Sequence, residues 1–358
     1  MNFLNLLELE SLARQKLPVN TFDYYRGGAG EEITLHNNRA AYEKWSIHYR
    51  ILVDVAQCNP TTFFLGTSLA FPVMIAPTAF HKLAHEDGER ATALAAKAAG
   101  IPYVVSSLST CTLEEIGEAS AHQFWFQLYV NKDRGFTRDL IQRASACGCQ
   151  ALVVTVDTPL WGRREKDIRN GFHLPPGLSA INLLGSDRQG AQKGQQGAGM
   201  GQAFDWMLDA SLSWKDLEWL RLQTKLPVLI KGVCRADDAR KAVDHGLSGI
   251  IVSNHGGRQL DSAPPTLAVL PEIADAVNKD IPILLDGGIR RGTDILKALA
   301  LGAQAVLIGR PVLWALALGG QEGVEKMLSL LKAEFDLAMA LAGCKRLEEI
   351  TADLVRSV

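Results

Sequence analysis

The chain has 358 residues, and its 37 lysines and arginines nearly balance its 39 aspartates and glutamates. A formal net charge of −2 argues against a nucleic-acid-binding surface or a polybasic membrane patch, so we expect neither nucleic acid nor membrane as a partner. With 47 % hydrophobic and 21 % charged residues, the composition excludes disorder along the whole chain. No apolar run approaches the roughly 20 residues that a membrane-spanning helix needs.

The start of the chain is typical of an amphipathic helix. Glu8, Glu10, Arg14 and Lys16 interrupt its leucines with helical spacing, unlike the apolar core of a signal peptide. We therefore predict an N-terminal helical segment over residues 1–65.

Eight short apolar runs follow, most of them rich in β-branched residues. Continuous apolar runs of this length are typical of buried strands in a parallel sheet. The runs are residues 73–76, 103–106, 124–129, 151–156, 228–231, 249–253, 283–286 and 305–309.

Helical patterns separate these runs, at residues 86–99, 134–147, 236–245 and 294–301, and Thr112 with Glu115 forms a capping-box pattern. Eight strands that alternate with helices predict an α/β fold, a (β/α)8 TIM barrel over residues 66–358, in preference to an open doubly wound sheet. We treat residues 1–358 as one domain. Residues 175–212, after the fourth strand, are rich in glycine and glutamine and predict a mobile surface loop near the barrel mouth.

The six cysteines are scattered, which favours a reducing, cytoplasmic location over a disulfide scaffold. The Cys147–Cys149 pair has no second pair nearby, and no paired metal-ligand spacing occurs elsewhere, so we expect no metal site.

Polar residues stand where the predicted strands end. In a barrel of this kind, active-site residues come from the carboxyl ends of the strands and the loops that follow. Because nearly every predicted strand ends this way, the pattern predicts an active site on one rim. The strand ends carry the polar residues Thr78, Ser106, Gln127, Tyr129, Thr155, Asp157, Lys231, Ser253, His255, Asp286 and Arg310, together with Pro77, Ala79 and Gly309.

The last two strands carry a phosphate-site pattern. Gly287, Gly288 and Arg290 follow strand seven, and Gly309 with Arg310 follows strand eight. Glycines let backbone N–H groups approach a phosphate, and arginine adds bidentate hydrogen bonds. Turn glycines beside surface arginines would explain either occurrence alone, but not both on adjacent strands.

His255 is the candidate base, since histidine titrates near neutrality and this one directly follows a buried strand. Asp157, at another strand end, is placed to stabilise the imidazolium. Arg164 and Arg258 add two fixed positive charges near the same rim, which points to an anionic substrate, most simply a carboxylate.

The run from Ser253 to Gln259, Ser-Asn-His-Gly-Gly-Arg-Gln, resembles the active-site signature of the FMN-dependent 2-hydroxy acid oxidases and dehydrogenases. Residues 23–30, 127–129, 155–159 and 162–165 support this resemblance, which covers essentially the whole chain and is strongest to the glycolate- and lactate-oxidising members. It implies an FMN cofactor, a small 2-hydroxy acid substrate, oxygen reduced to hydrogen peroxide, and a homotetramer. The apolar stretch 312–318 would then be a candidate interface helix.

The resemblance also implies residue roles. His255 would remove a proton, from the substrate Cα or its hydroxyl, with Asp157 as its charge partner. Arg258 and Arg164 would bind the carboxylate. Tyr24 and Tyr129 would hydrogen-bond the substrate, and Lys231 would stabilise the reduced flavin. The flavin ring would be held by Pro77, Thr78, Ala79, Ser106, Gln127, Thr155 and Ser253, and the ribityl phosphate by Asp286, Gly287, Gly288, Arg290, Gly309 and Arg310.

Leu108 departs from the glycolate-type pattern, which often has tryptophan two residues after the serine of strand two. A leucine widens the pocket and favours lactate, whereas Thr78 resembles the glycolate-type members. We therefore expect oxidation of L-lactate to pyruvate. The alternatives are a glycolate oxidase, a dehydrogenase with another acceptor, a barrel isomerase or nucleotide enzyme acting on a phosphorylated substrate, and a flavin-binding protein without catalysis.

Overall fold

A computed structural model describes residues 2–184 and 208–358. Eight parallel strands form one sheet in which each strand pairs with the next along the chain, from Val104–Val105 to Ala305–Ile308, and the last pairs with Val73–Ile75. A parallel bridge between Ile75 and Tyr103 joins the two ends of the sheet. The predicted α/β fold, a (β/α)8 barrel, is confirmed. The strands are β1 Trp45–Ile47, β2 Thr62–Phe64, β3 Thr67–Leu69, β4 Val73–Ile75, β5 Val104–Val105, β6 Phe124–Leu128, β7 Cys149–Thr155, β8 Val228–Val233, β9 Gly249–Val252, β10 Ile283–Asp286, β11 Ala305–Ile308 and β12 Val355–Ser357.

Helices surround the sheet and precede it. The predicted capping box opens one of them, where Thr112 Oγ1 accepts from Glu115 N at 3.2 Å and Thr112 N donates to the Glu115 carboxylate at 2.7 Å. The helices are α1 Glu8–Lys16, α2 Val19–Arg26, α3 Ile33–Ala40, α4 Gly88–Ala98, α5 Leu113–Ala119, α6 Arg134–Ala146, α7 Glu165–Arg169, α8 Trp214–Leu222, α9 Ala236–Asp244, α10 Thr266–Val277, α11 Gly292–Ala300 and α12 Arg310–Leu341.

The barrel interior changes from apolar to polar along most of the strands. Side chains two residues apart point to the same side of a strand, so the apolar core residue Leu229 is followed by Lys231 on the same face of β8. The pairs Ile251–Ser253 and Leu284–Asp286 repeat this change. Apolar side chains thus fill the amino-terminal part of the barrel interior, and polar groups lie at the carboxyl ends of the strands.

A hairpin of β2 and β3 covers the amino-terminal end of the barrel. Phe64 meets Trp125 edge-to-face at 5.9 Å, and Trp125 Nε1 donates to Thr67 Oγ1 at 3.2 Å. The predicted boundary between residues 65 and 66 falls in the turn of this hairpin. The division of the chain into one domain with these segments remains a prediction.

The apolar stretch 312–318 is not an interface surface. Val312 and Leu313 on helix α12 are buried, and the helix packs within the subunit against α1, α4 and α11. The expectation that this stretch forms a subunit contact was wrong, since these side chains complete the chain's own core. The helix bends at Gly319 and Gly320, whose backbone angles are non-helical.

Residues on both flanks of the predicted 175–212 loop are anchored. Asn182 is buried, and its amide donates to Ser109 Oγ at 2.8 Å and to Cys111 O at 2.9 Å. On the other flank, Asp209 pairs with Arg134 at 2.6 Å. The predicted mobility of residues 185–207 lies outside the described residues. No helix in the described ranges is long and apolar enough to cross a membrane.

Candidate active site

A cavity of about 970 Å³, including its open mouth, lies at the carboxyl ends of the barrel strands. Asp157 and Ser253 lie directly behind its wall, bonded to His255 and Lys231 respectively. Every other residue assigned to the site from the sequence lines the cavity: Tyr24, Pro77, Thr78, Ala79, Ser106, Leu108, Gln127, Tyr129, Thr155, Arg164, Lys231, His255, Arg258, Asp286, Gly287, Gly288, Arg290, Gly309 and Arg310.

His255 and Asp157 form a buried pair, with Nδ1 of the imidazole 2.8 Å from Asp157 Oδ1. Thr158 Oγ1 donates to the same carboxylate oxygen at 3.0 Å. Burial would raise the pKa of Asp157, but His255, Lys231 and Thr158 outweigh it and hold that pKa below its usual value. Burial lowers the pKa of His255 despite the neighbouring carboxylate. A neutral imidazole therefore faces the cavity with Nε2 available as an acceptor.

Lys231 is the buried cation of the cavity floor. Its Nζ donates to Ser253 Oγ at 2.9 Å and lies 3.1 Å from Asp286 Oδ2. Burial alone would lower the pKa of Lys231, but the carboxylates of Asp286 and Asp157 raise it above its usual value. The ammonium group is therefore charged at neutral pH.

Four arginines line the cavity, and in the described ranges no carboxylate lies within 4 Å of their guanidinium groups: Arg164, Arg258, Arg290 and Arg310. Burial and the charge of Arg258 lower the pKa of Arg164 to about 10, and burial lowers the pKa of Arg310 below its usual value. Buried like charges without counter-ions are costly unless an anion binds them. The cavity is therefore built for anions.

Aromatic contacts fix the arginines on one side of the cavity. The Arg258 guanidinium lies 5.0 Å from the centre of the Tyr24 ring, and its Nη1 donates to Tyr24 O and Gly27 O, both at 2.7 Å. Tyr24 stacks on Phe172 at 4.2 Å. Arg164 lies 4.2 Å from the centre of the Trp161 ring.

A line of polar side chains crosses the floor between strands β5, β6 and β7. Ser106 Oγ donates to Gln127 Oε1 at 3.3 Å, and Gln127 Nε2 donates to Thr155 Oγ1 at 3.0 Å. Burial raises the pKa of Tyr129 above its usual value, so its phenol is a donor throughout the neutral range.

The cavity has further lining residues that sequence reasoning missed: Tyr25, Ala76, Trp161, Gly256, Ile289, Leu307, Ile308 and Leu313. Trp161 was detectable, because it lies between Asp157 and Arg164 in one loop. His81 was also missed as a support of the site. Its Nε2 lies 2.7 Å from Thr78 Oγ1 and its Nδ1 lies 2.9 Å from Thr92 Oγ1, so it holds a cavity-lining threonine.

The residues present fit FMN. Oδ1 of Asp286 is a buried acceptor without a hydrogen-bond partner, which suits a ribityl hydroxyl. Arg290 and Arg310 line the cavity with Gly287 and Gly288, whose φ angles are +104° and +81°, and the two arginines also share a smaller neighbouring pocket with Gly288. A Cβ at position 288 would lie 2.2 Å from Asn38 O, so packing requires this glycine as well.

Comparisons with known proteins support the fit of this cavity to FMN. The family model "FMN-dependent dehydrogenase" matches residues 13–357. An L-lactate oxidase from Nostoc sp. is 53 % identical, covering 97 % of this chain and 96 % of that protein, and a glycolate oxidase from Spinacia oleracea is 49 % identical, covering 98 % and 95 %. A solved mandelate oxidase with (S)-4-hydroxymandelic acid has a TM-score of 0.93 at 42 % identity, covering 99 % of each chain. The chain therefore belongs to the FMN-dependent dehydrogenase family and uses FMN as its cofactor.

Proposed function

We propose that this enzyme oxidises L-lactate to pyruvate and that oxygen is reduced to hydrogen peroxide. The observation that carries the proposal is the His255–Asp157 pair beside two arginines, Arg164 and Arg258, that lack carboxylate partners within 4 Å in the described ranges. A base next to two cations suits a substrate that carries a carboxylate and loses a proton. The balanced reaction converts lactate and oxygen to pyruvate and hydrogen peroxide.

Substrate binding rests on the arginine side of the cavity. Arg258 and Arg164 bind the carboxylate, because fixed guanidinium groups match its two oxygens. The phenols of Tyr24 and Tyr129 donate to the carboxylate and the hydroxyl. Both phenols stay protonated, since burial raises the pKa of each tyrosine.

Proton removal falls to His255. Its Nδ1 is held by Asp157, so Nε2 takes the proton that leaves as the carbon–oxygen single bond becomes a carbonyl. The neighbouring carboxylate then stabilises the imidazolium. Proton transfer to a positioned general base is worth about 100- to 10,000-fold in rate.

The opposite end of the cavity holds the cofactor. Arg290 and Arg310 with Gly287, Gly288 and Gly309 bind the phosphate, and Asp286 binds a ribityl hydroxyl. Pro77, Thr78, Ala79, Ser106, Gln127, Thr155 and Ser253 surround the ring. FMN bound there would supply a two-electron acceptor for the substrate and a donor to oxygen. Lys231, a buried and charged ammonium group, would supply positive charge that favours flavin reduction.

Leu108 supports lactate over glycolate. Its buried side chain lines the cavity, where it leaves room for the methyl group that lactate has and glycolate lacks. Glycolate remains the second candidate, because a single methyl contact in an apolar pocket is worth only about 1–3 kcal/mol.

We also propose a cytoplasmic homotetramer. All six cysteines are unpaired, which suits a reducing compartment. Size-exclusion chromatography with light scattering tests the assembly: a mass of four chains supports it, and a monomer contradicts it.

Steady-state kinetics with three substrates test the activity. We expect the largest kcat/KM for L-lactate, a smaller value for glycolate, and none for D-lactate, with one hydrogen peroxide formed per oxygen consumed. A larger kcat/KM for glycolate would make the enzyme a glycolate oxidase. Turnover with an artificial acceptor but without oxygen consumption would make it a dehydrogenase.

A further inference from the structure

Asp167 is a buried carboxylate that the proposed mechanism does not use. The residue is only 9 % exposed, and neither carboxylate oxygen has a hydrogen-bond partner. Burying a carboxyl group without a hydrogen-bond partner costs folding free energy. The presence of one here therefore calls for a physical explanation.

The position of Asp167 in its helix makes this lack of partners unusual. Arg164 is the N-cap of α7, and Asp167 is the third residue of that helix, where an acidic side chain ordinarily bonds back to the N-cap N–H. Glu115 and Asp216 do so at the same position of their own helices. The carboxyl group of Asp167 does not form this hydrogen bond, and it lies in the protein interior instead.

The interior groups that surround Asp167 are those of the substrate end of the cavity. Arg164 precedes it on the same loop, Arg258 interacts with it from the loop after β9, and Tyr24 and Asp23 face it from α2, which packs against α7. Asp23 is itself bonded to Asn170 at 2.8 Å. No ion pair within 4 Å joins Asp167 to either arginine among the described residues. Its charge therefore acts on the arginines through space.

We propose that Asp167 is a positioning residue whose buried carboxyl sets the net charge that Arg164 and Arg258 present to the substrate carboxylate. This rests on the proposed function, because it assumes that these two arginines bind a carboxylate. The ionised carboxyl offsets one of the two positive charges and weakens anion binding. The protonated carboxyl leaves both charges uncompensated and strengthens it.

The ionisation of Asp167 couples substrate affinity to pH. Burial raises the pKa of Asp167 above its usual value, and Arg258 and Arg164 oppose that rise. As the pH rises through this pKa, the enzyme changes from a state that binds anions more tightly to one that releases them more readily.

Propionate is the probe, because it is lactate without the hydroxyl and cannot be oxidised by this chemistry. Its Kd is measured on the FMN-bound enzyme from the change in flavin absorbance, over a pH series, for the wild type and D167N. We expect equal Kd values at low pH and a wild-type Kd about three- to tenfold larger at high pH, less than a charge in direct contact would give. Glu165→Gln, which removes an exposed carboxylate from the same turn, should leave the wild-type profile unchanged.

A ratio of Kd values that stays constant with pH would overturn the proposal, and so would weaker binding to D167N at high pH. If D167N fails to fold or to hold FMN, Asp167→Glu retains the charge and should retain the pH dependence; its loss there would contradict the proposal. Thermal unfolding gives a second readout: because ionisation of Asp167 destabilises the folded state, the Tm advantage of D167N should grow as pH rises above about 4. Propionate binding needs no turnover, so this test is separate from failure of the enzyme to oxidise lactate.

Discussion

Nδ1 of His255 lies 2.8 Å from Oδ1 of Asp157, although the two residues are 98 positions apart in the sequence and follow different strands, β9 and β7. The barrel brings them together because the carboxyl ends of parallel strands meet on one rim. This contact fixes the tautomer of the imidazole and turns Nε2 toward the substrate. The first predictions test this pair.

Replacing the base should abolish chemistry and spare cofactor binding. His255 has a φ of +58°, a left-handed conformation that asparagine tolerates better than alanine, so His255→Asn is the cleaner variant. Anaerobic flavin reduction by L-lactate should slow by about 100- to 10,000-fold. FMN content and Tm should stay near the wild-type values. Reduction at the wild-type rate would remove His255 from the role of base.

The pH dependence of flavin reduction should report the same pair. Because burial lowers the pKa of His255, the rate should fall with acid only below the usual range of histidine. Asp157 raises that pKa, so Asp157→Asn should move the acid limb to still lower pH and slow the plateau rate. The measurement is single-turnover reduction from pH 5 to 9. An acid limb that moves to higher pH would contradict the assignment.

A substitution at Gly232 tests the position of Asp157 without replacing either His255 or Asp157. A Cβ at this residue, whose φ is +118°, would lie 2.5 Å from Asp157 Cβ. Gly232→Ala should displace the carboxylate and slow flavin reduction at least tenfold, since misplacement of a catalytic group by about 1 Å can cost 100-fold. Gly171→Ala is the matched control: it also has a positive φ, but no atom lies within 4 Å of its Cβ. Equal rates in both variants would show that the contact does not matter.

Arg290 tests the phosphate site. The only hydrogen bond of its guanidinium within the described residues is to Ile289 O, so Arg290→Met should remove little besides phosphate binding. We expect the Kd of FMN to rise about 10- to 150-fold, the value of a hydrogen bond to a charged group. Riboflavin, which lacks the phosphate, should bind both proteins equally. An equal loss for both ligands would place Arg290 elsewhere on the cofactor.

Leu108 tests substrate choice. Leu108→Trp fills the space beside the substrate, so the ratio of kcat/KM for L-lactate to that for glycolate should fall by about 10- to 200-fold. Leu108→Met, of nearly equal volume, should leave the ratio within a few-fold of the wild type. An unchanged ratio in the tryptophan variant would show that this residue does not shape the pocket.

The strands and the rim could be predicted because both depend on local patterns. Most of the apolar runs end in a polar residue with period-two spacing, as in Leu229 and Lys231, and this is a property of the sequence alone. Helix α12 shows where such reasoning stops. An apolar helical stretch must be buried somewhere, but only the tertiary structure shows whether the chain's own barrel or another subunit covers it.

The support of the site was harder to find than the site itself. In the sequence, Asp167 is indistinguishable from any acidic residue in the first turn of a helix. Its lack of hydrogen-bond partners is visible only in the structure. The pairing of β1 with β12 escaped prediction as well, since three-residue strands more than 300 positions apart leave no local signal. By contrast, Tyr24 was reached through family resemblance, because nothing in its neighbourhood marks it as facing the arginines.

Anaerobic mixing of the FMN-bound enzyme with L-lactate, followed by admission of air, is the decisive test of 2-hydroxy acid oxidation at this site. We expect flavin absorbance to bleach with L-lactate, to return rapidly in air, and to bleach more slowly with glycolate. A yellow protein that keeps its absorbance with both acids would contradict 2-hydroxy acid oxidation at this site.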